Sequence, residues 1–198
     1  MKRIRANHPL LLVAMAIGMC AFSLKARTYL TAKQAEKVCF PLADKFEWKT
    51  HRYSMEEMKK IHESSRLKVI DPAIWFGVAY KNNTVIGVLA FDRCIGKHEY
   101  IDYVIALTPE GKVKQVEILS YRESWGYEVR REGWRKQFIG KNAAAKIDLN
   151  DGIHKISGAT LSCRGITRGV KRVCHTWDVV LHPALVAGGA LSKRTAKD

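Results

Sequence analysis

Ile74-Trp75-Phe76-Gly77-Val78-Ala79-Tyr80-Lys81-Asn82-Asn83-Thr84-Val85-Ile86-Gly87-Val88-Leu89-Ala90-Phe91 is the stretch that decides the fold. Two runs, Ile74 to Tyr80 and Thr84 to Phe91, are rich in β-branched and aromatic residues, and Asn82-Asn83 sits between them as a tight turn. Tyr100 to Leu107 has the same composition. Pro109-Glu110-Gly111 then turns the chain into Val113 to Tyr121, where Val113, Val116, Ile118 and Tyr121 are apolar without strict alternation. Four strands, mostly antiparallel, are predicted. Upstream, Asp71-Pro72 breaks the chain, and before it Thr31 to Phe40 and Ser54 to Glu63 read as helices. The second opens with Ser54-x-x-Glu57 as a capping box and carries Met55, Met58, Ile61 and His62 along one side. Downstream, Glu132 to Phe138 is a short helix closed by Gly140. Thr160 to Asp178 is the longest helix, with Ile166, Val170, Val173 and Trp177 repeating on one face. Late helix on early sheet predicts an α+β domain: a mostly antiparallel sheet packed with a long C-terminal helix.

The chain has 198 residues with 34 basic against 19 acidic side chains, a net charge of +15. That length fits one domain with an appendage, and 47% hydrophobic residues set disorder aside. Met1 to His8 carries Lys2, Arg3 and Arg5, and Pro9 to Leu24 then runs uncharged for sixteen residues. This reads as a signal or a membrane anchor, with the N-terminus in the cytoplasm and the bulk of the chain outside it. Membrane attachment through this segment is expected, at the extracytoplasmic face or in the periplasm. An exported basic protein is a poor nucleic-acid binder, so no nucleic-acid partner is expected. The organisation expected is 1–26 signal or anchor, 27–72 helical N-terminal segment, 73–182 principal domain and 183–198 C-terminal tail. The five cysteines, Cys20, Cys39, Cys94, Cys163 and Cys174, contain no Cys-x-x-Cys pair, so zinc ribbons and thioredoxin-like motifs are absent and no metal site is expected. In an oxidising compartment Cys39 and Cys94 could pair; unpaired buried thiols are the alternative. Cys163 and Cys174 share one helix face too far apart to bond and read as core thiols.

The segment Ile156-Ser157-Gly158-Ala159-Thr160-Leu161-Ser162 is the most informative for function. Hydroxyls at Ser157 and Thr160 around a glycine, with a helix running on, describe a helix N-terminus; the local reading is a hydroxyl N-cap, and free N–H groups there attract phosphate. Lys155, Arg164 and Lys141 are available to add charge-assisted bonds.

Ser157-Gly158-Ala159-Thr160 at the start of a C-terminal helix, behind one apolar segment, resembles the FMN-binding domain family. The resemblance covers roughly residues 74–180. It extends to Gln137-Phe138-x-Gly140-Lys141, ahead of the motif, and to Tyr121-Arg122-Glu123-Ser124-Trp125-Gly126, where Glu123 and Gly126 hold the places of a glutamate-to-glycine turn. His154 stands where the family commonly has aspartate. The resemblance implies FMN attached to Thr160 through a phosphoester by a dedicated flavin transferase. It implies cofactor-binding roles for Ser157, Gly158, Ala159, Leu161, Ser162, Glu123, Gly126 and Lys141; beside it, Trp125 is expected to touch the cofactor by stacking, and His154 reads either as a hydrogen-bond donor to phosphate or flavin or as polar surface. Of Tyr121, Trp125, Tyr127 and Trp134, one or two are expected to wall the flavin ring. The function implied is an extracytoplasmic flavoprotein relaying electrons between redox partners; no catalytic residue is assigned, and no second nucleotide-binding fingerprint supports a self-sufficient reductase. The alternative is an anchored assembly or binding module of the same fold with loose or no FMN. The basic run Arg164, Arg168, Lys171, Arg172 reads either as a dock for an acidic redox partner or as a solvated helix face.

Overall fold

The computed structural model describes residues 27–192, so the predicted signal or anchor lies outside the described residues. Strands β1 (Arg27–Thr28), β2 (Lys45–Arg52), β3 (Ala73–Lys81), β4 (Thr84–Ile95), β5 (Tyr100–Leu107) and β6 (Val113–Tyr121) form one antiparallel sheet in the order β1-β6-β5-β4-β3-β2. From β2 to β6 it is a meander, each strand pairing with its sequence neighbour. The four predicted strands are all present. The β3–β4 hairpin turns on Asn82 and Asn83, both at positive φ (49° and 61°), a conformation asparagine tolerates better than other side-chain-bearing residues.

The fifth long strand, β2, corrects the expectation of a purely helical segment over residues 27–72. Only Phe46 and Trp48 of Lys45–Arg52 join an apolar cluster, and the rest of the strand is charged or polar. Such a sequence suits an edge strand, where charge discourages pairing with a further chain. Its register is fixed where Trp48 faces Gly77: a Cβ at Gly77 would stand 2.8 Å from the indole.

Helices cover both faces. On one side α4 (Thr160–Thr176) lays Ile166, Val170 and Val173 on Val78, Val88, Tyr103 and Ile105, and Trp177 follows in the same cluster. Helix α2 (Met55–Ser65) joins this side through Ile61. Its capping box forms as predicted, but Met55 is exposed, so the predicted apolar stripe is narrower than the spacing suggested. On the other side α1 (Ala32–Cys39) packs Ala35 and Cys39, with Phe40, against Ala79, Leu89, Val104 and Ala106. Each fully buried Leu or Ile side chain contributes about 1.5–3 kcal/mol, so two such layers suffice for a stable body.

The C-terminal helix outruns the prediction. After α4 come a π-helical stretch, Trp177–Leu181, and α5 (His182–Ala187), so the expected tail from residue 183 begins inside helix. Pro183 has no N–H and its ring crowds the carbonyl four residues back; the wider turn before it relieves that clash without ending the helical run. Residues 132–138 split into α3 (Glu132–Arg135) and a 3-10 turn, Lys136–Phe138. A parallel pair, β7 (Asp148–Leu149) with β8 (Gly152–Ile153), leads into the Ser-Gly-Ala-Thr segment.

The Cys39–Cys94 pairing does not form. All four described cysteines are free. Cys39 belongs to the α1-side cluster, whereas Cys94 packs on the α4 side, where a Cβ at Gly165 would meet its Sγ at 2.7 Å. The sheet separates them. Cys163 and Cys174 are core thiols, as expected.

Candidate functional site

Three segments distant in sequence meet at the end of the sheet where β4 and β6 finish and α4 begins. Lys97 and His98, Glu123 to Trp125, and Gly158 to Ser162 line a cleft of about 440 Å³.

The first wall is set by a carboxylate. Glu123 Oε1 accepts the backbone N–H of His98 at 2.5 Å and of Glu99 at 2.9 Å, which pins the β4–β5 loop to the loop after β6. Gly96 lies against it, since a Cβ there would stand 2.8 Å from Oε1. Burial pushes the Glu123 pKa up, but the N–H groups of Glu99, His98 and Lys97 outweigh it and hold the group below the usual carboxylate range.

The second wall is fastened by a phenol. Tyr121 Oη donates to the Trp125 carbonyl at 2.5 Å, which uses its one proton; Ser162 Oγ, 2.9 Å away, therefore donates to Tyr121. Beside this pair Gly126 has φ +90°, and a Cβ there would come within 2.7 Å of Tyr121 Oη and 2.8 Å of Ser162 Oγ. Only glycine fits on both counts. The turn from Tyr121 to Gly126 is thereby tied to the first turn of α4.

The third wall is the start of α4. The expected hydroxyl cap is absent: Ala159 occupies the N-cap position and no side chain bonds the first turn. The reason is the backbone ahead of it. Gly158 takes φ +82° and the Ala159 N–H closes a turn onto the Ile156 carbonyl at 3.1 Å, which puts Ser157 outside the cleft and Thr160 at the first helical position. A Cβ at Gly158 would meet nothing within 4 Å, so the space before the helix is open. First-turn N–H groups with the positive end of the helix dipole, an open approach and the Thr160 hydroxyl together suit a phosphate.

Of the predicted site residues, Gly158, Ala159, Thr160, Leu161, Ser162, Glu123 and Trp125 line the cleft and Gly126 backs it. Trp125 is 82% exposed at the rim, a free face for stacking. Lys141 is elsewhere: its Nζ donates to the Lys146 carbonyl and its own carbonyl accepts from Val113. His154 acts through its backbone, donating to Gln137 Oε1 at 2.7 Å and accepting from Trp134 Nε1 at 2.8 Å. The Gln137-Phe138 segment therefore steadies the strand that precedes the motif. Trp134 is core and Tyr127 lines a different cleft with Tyr29 and Arg130, so neither walls this one. Lys97, His98 and Ser124 are cleft residues that spacing did not reveal.

The basic run does not form one free face. Arg172 donates to both oxygens of Asp92 (2.9 and 2.7 Å), which also accepts from Tyr103 Oη at 2.7 Å, and the pair is largely buried between α4 and the sheet. Lys171 pairs with Asp148 at 2.7 Å. Arg164 and Arg168 remain exposed.

Comparison with known proteins finds similarity in sequence and in structure. Over 104 residues the chain is 31% identical to a component of the proton-translocating ferredoxin:NAD(+) oxidoreductase complex of Clostridium ljungdahlii, covering 49% of this chain. The chain spans little more than half, 56%, of that relative's length. The crystal structure of Shewanella oneidensis NqrC superposes with a TM-score of 0.48 at 15% identity over 82% of each chain. Residues 96–175 match the FMN-binding domain family, a segment that holds the carboxylate-pinned loop, the phenol-fastened turn and the open start of α4. It is this segment of the chain, residues 96–175, that the FMN-binding domain family describes.

Proposed function

We propose that the cleft at the start of α4 holds FMN, esterified through its phosphate to Thr160 Oγ, and that the protein relays electrons as a membrane-anchored extracytoplasmic flavoprotein. The observation that carries this is the uncapped helix start inside the family segment, with Thr160 as its first residue and open space at Gly158.

The residues present fit the cofactor. The first-turn N–H groups and the dipole would hold the phosphate, with the exposed Lys97 ammonium at the cleft adding positive charge and His98 beside it offering a ring N–H. That dipole contributes only about 0.3–1 kcal/mol at an exposed site, so non-covalent capture would be weak, and a tether suits a protein that cannot draw on cytoplasmic flavin. In forming the ester, Thr160 Oγ gives up its proton as the O–P bond forms and an anhydride bond in the flavin donor breaks; a transferase would position that donor. Trp125 offers its indole to the ring, and Glu123 keeps the opposite loop in place. When bound, FMN accepts and returns one or two electrons.

The Clostridium relative is named as part of a multi-component oxidoreductase complex, which supports redox partners, and the basic-then-apolar order of residues 1–26 supports anchoring with the domain outside the cytoplasm. Full-length protein made in a host with the transferase should show flavin fluorescence in a denaturing gel, localised by peptide mapping to Thr160. Thr160→Ala should lose it while keeping the fold, because this side chain caps nothing. Undiminished fluorescence in the mutant refutes the attachment site. A folded wild-type chain that takes no flavin supports the binding-module reading instead.

A further inference from the structure

The sheet face under α1 is only partly covered. An eight-residue helix is about 12 Å long, whereas the twelve-residue β4 beneath it runs to about 40 Å. The remainder shows an aromatic surface. Trp75 packs against Trp48 and Phe91 with ring centroids 4.7 and 4.3 Å apart, yet stays 43% exposed. These rings border a shallow groove of about 640 Å³ lined by Ala32, Trp75, Phe91 and Leu119, with the paired Asp71, Asp92 and Asp102 carboxylates also on its wall. On the side of β4 that carries Phe91, Arg93 and Ile95 follow by alternation. Ile95 is 56% exposed, and Tyr100, stacked under Arg93 at 4.9 Å, is 43% exposed. An apolar patch of this extent marks an interaction surface.

Two observations choose the partner. The charges around the groove are neutralised in pairs, Arg93 with Asp71 at 2.9 Å and Arg122 with Asp102 at 2.8 Å, so no single-sign field invites an oppositely charged protein. Exposed Trp and Tyr with arginine stems beside them are the side chains that settle at a membrane–water boundary. The second observation is where the chain arrives. Arg27 pairs with Tyr121, the N–H groups of Tyr29 and Leu30 donate to the Leu119 carbonyl, and Ala32 already lines the groove. Three residue steps separate Leu24, the end of the apolar run, from Arg27, a reach of at most about 10 Å. Whatever holds that run holds this end of the sheet beside it.

We propose that the aromatic groove rests on the lipid surface, as a second, peripheral contact beside the N-terminal segment. This rests on the reading of residues 9–24 as a membrane anchor. It fixes the domain's orientation, with the loop Gly96–Glu99 and the cleft at the membrane end of the sheet, where a single flexible tether would leave it free to swing.

The test uses the full chain in phosphatidylcholine vesicles, with or without bromine at shallow acyl positions. The protein should float with the vesicles, and brominated lipid should quench its tryptophan emission. Trp75→Phe, which keeps an aromatic ring at the site, should lower the quenched fraction roughly two-fold, because Trp75 is an exposed indole at the groove. Flotation without quenching, or quenching unchanged in Trp75→Phe, overturns the proposal in favour of a protein partner on this face and leaves the anchor standing. Failure to float removes the anchor and the proposal together.

Discussion

Tyr121 and Ser162, forty-one residues apart, stand hydroxyl to hydroxyl at 2.9 Å, and the Tyr121 proton goes on to the Trp125 carbonyl. This relay joins the last strand, the glutamate-to-glycine turn and the helix start in one chain of donors. Tyr121→Phe should therefore cost about 1–3 kcal/mol, a fall of several degrees in Tm by calorimetry, because it strands a carbonyl and a buried serine hydroxyl together. Ser162→Ala leaves the bond to Trp125 intact and should cost less. Equal losses from the two would contradict the donor order.

Glu123 makes the cleft sensitive to acid. Its folded pKa lies below the ordinary 4.5, so its contribution is complete above that value and is lost as pH falls through the lower, folded one. Amide exchange at Lys97 to Glu99 should accelerate on acidification below about pH 4.5, relative to amides in β5. Glu123→Gln should show faster exchange already at pH 7 and no further acid-dependent rise in this loop.

The thiols test the separation of the two layers. Burial pushes Cys39, Cys94 and Cys174 up to about 12, so almost none is thiolate at pH 8. Iodoacetamide should leave these three unmodified in folded protein and label them after denaturation, as peptide mass mapping will show. A Cys39–Cys94 cross-link under oxidising conditions without unfolding would contradict the packing.

Helix α4 divides its arginines by task. Arg172→Met leaves Asp92 buried without its counter-charge and should destabilise by about 3–5 kcal/mol, read from denaturant midpoints. Arg164→Gln and Arg168→Gln should change stability by less than about 0.5 kcal/mol. If these two steer an acidic redox partner, the double variant should also flatten the fall of electron exchange with rising ionic strength.

The meander was legible because β3 to β6 each concentrate β-branched and aromatic residues between strong turn residues. Strand β2 was not, because two apolar residues among charges give no usable period and its place is set by Gly77, twenty-nine positions away from Trp48. Within the site, the motif itself could be read, but not which residue caps the helix, since that depends on the left-handed backbone at Gly158. Lys97 and His98 are brought to the cleft because the N–H groups of His98 and Glu99 bind a distant carboxylate, and such a contact leaves no mark on side-chain spacing. Arg172 looked like its neighbours along the helix. Its partner Asp92 lies eighty residues earlier, and the close approach that joins them needs Gly169, whose Cβ would collide with Tyr103 Oη.

The meander also orders events in time. From β2 to β6 each pairing joins neighbours in the chain, and the β3–β4, β4–β5 and β5–β6 connections are brief, so closing them sacrifices little chain entropy and the five-stranded layer can assemble quickly. Strand β1 is the exception: it closes a loop spanning the whole sheet in return for two residue pairs. It is therefore the last strand to zip and the first to fray. Since β1 is also the nearest part of the sheet to whatever lies N-terminal to it, a pull from that side would peel away a two-residue strap and leave the layers that form the cleft folded.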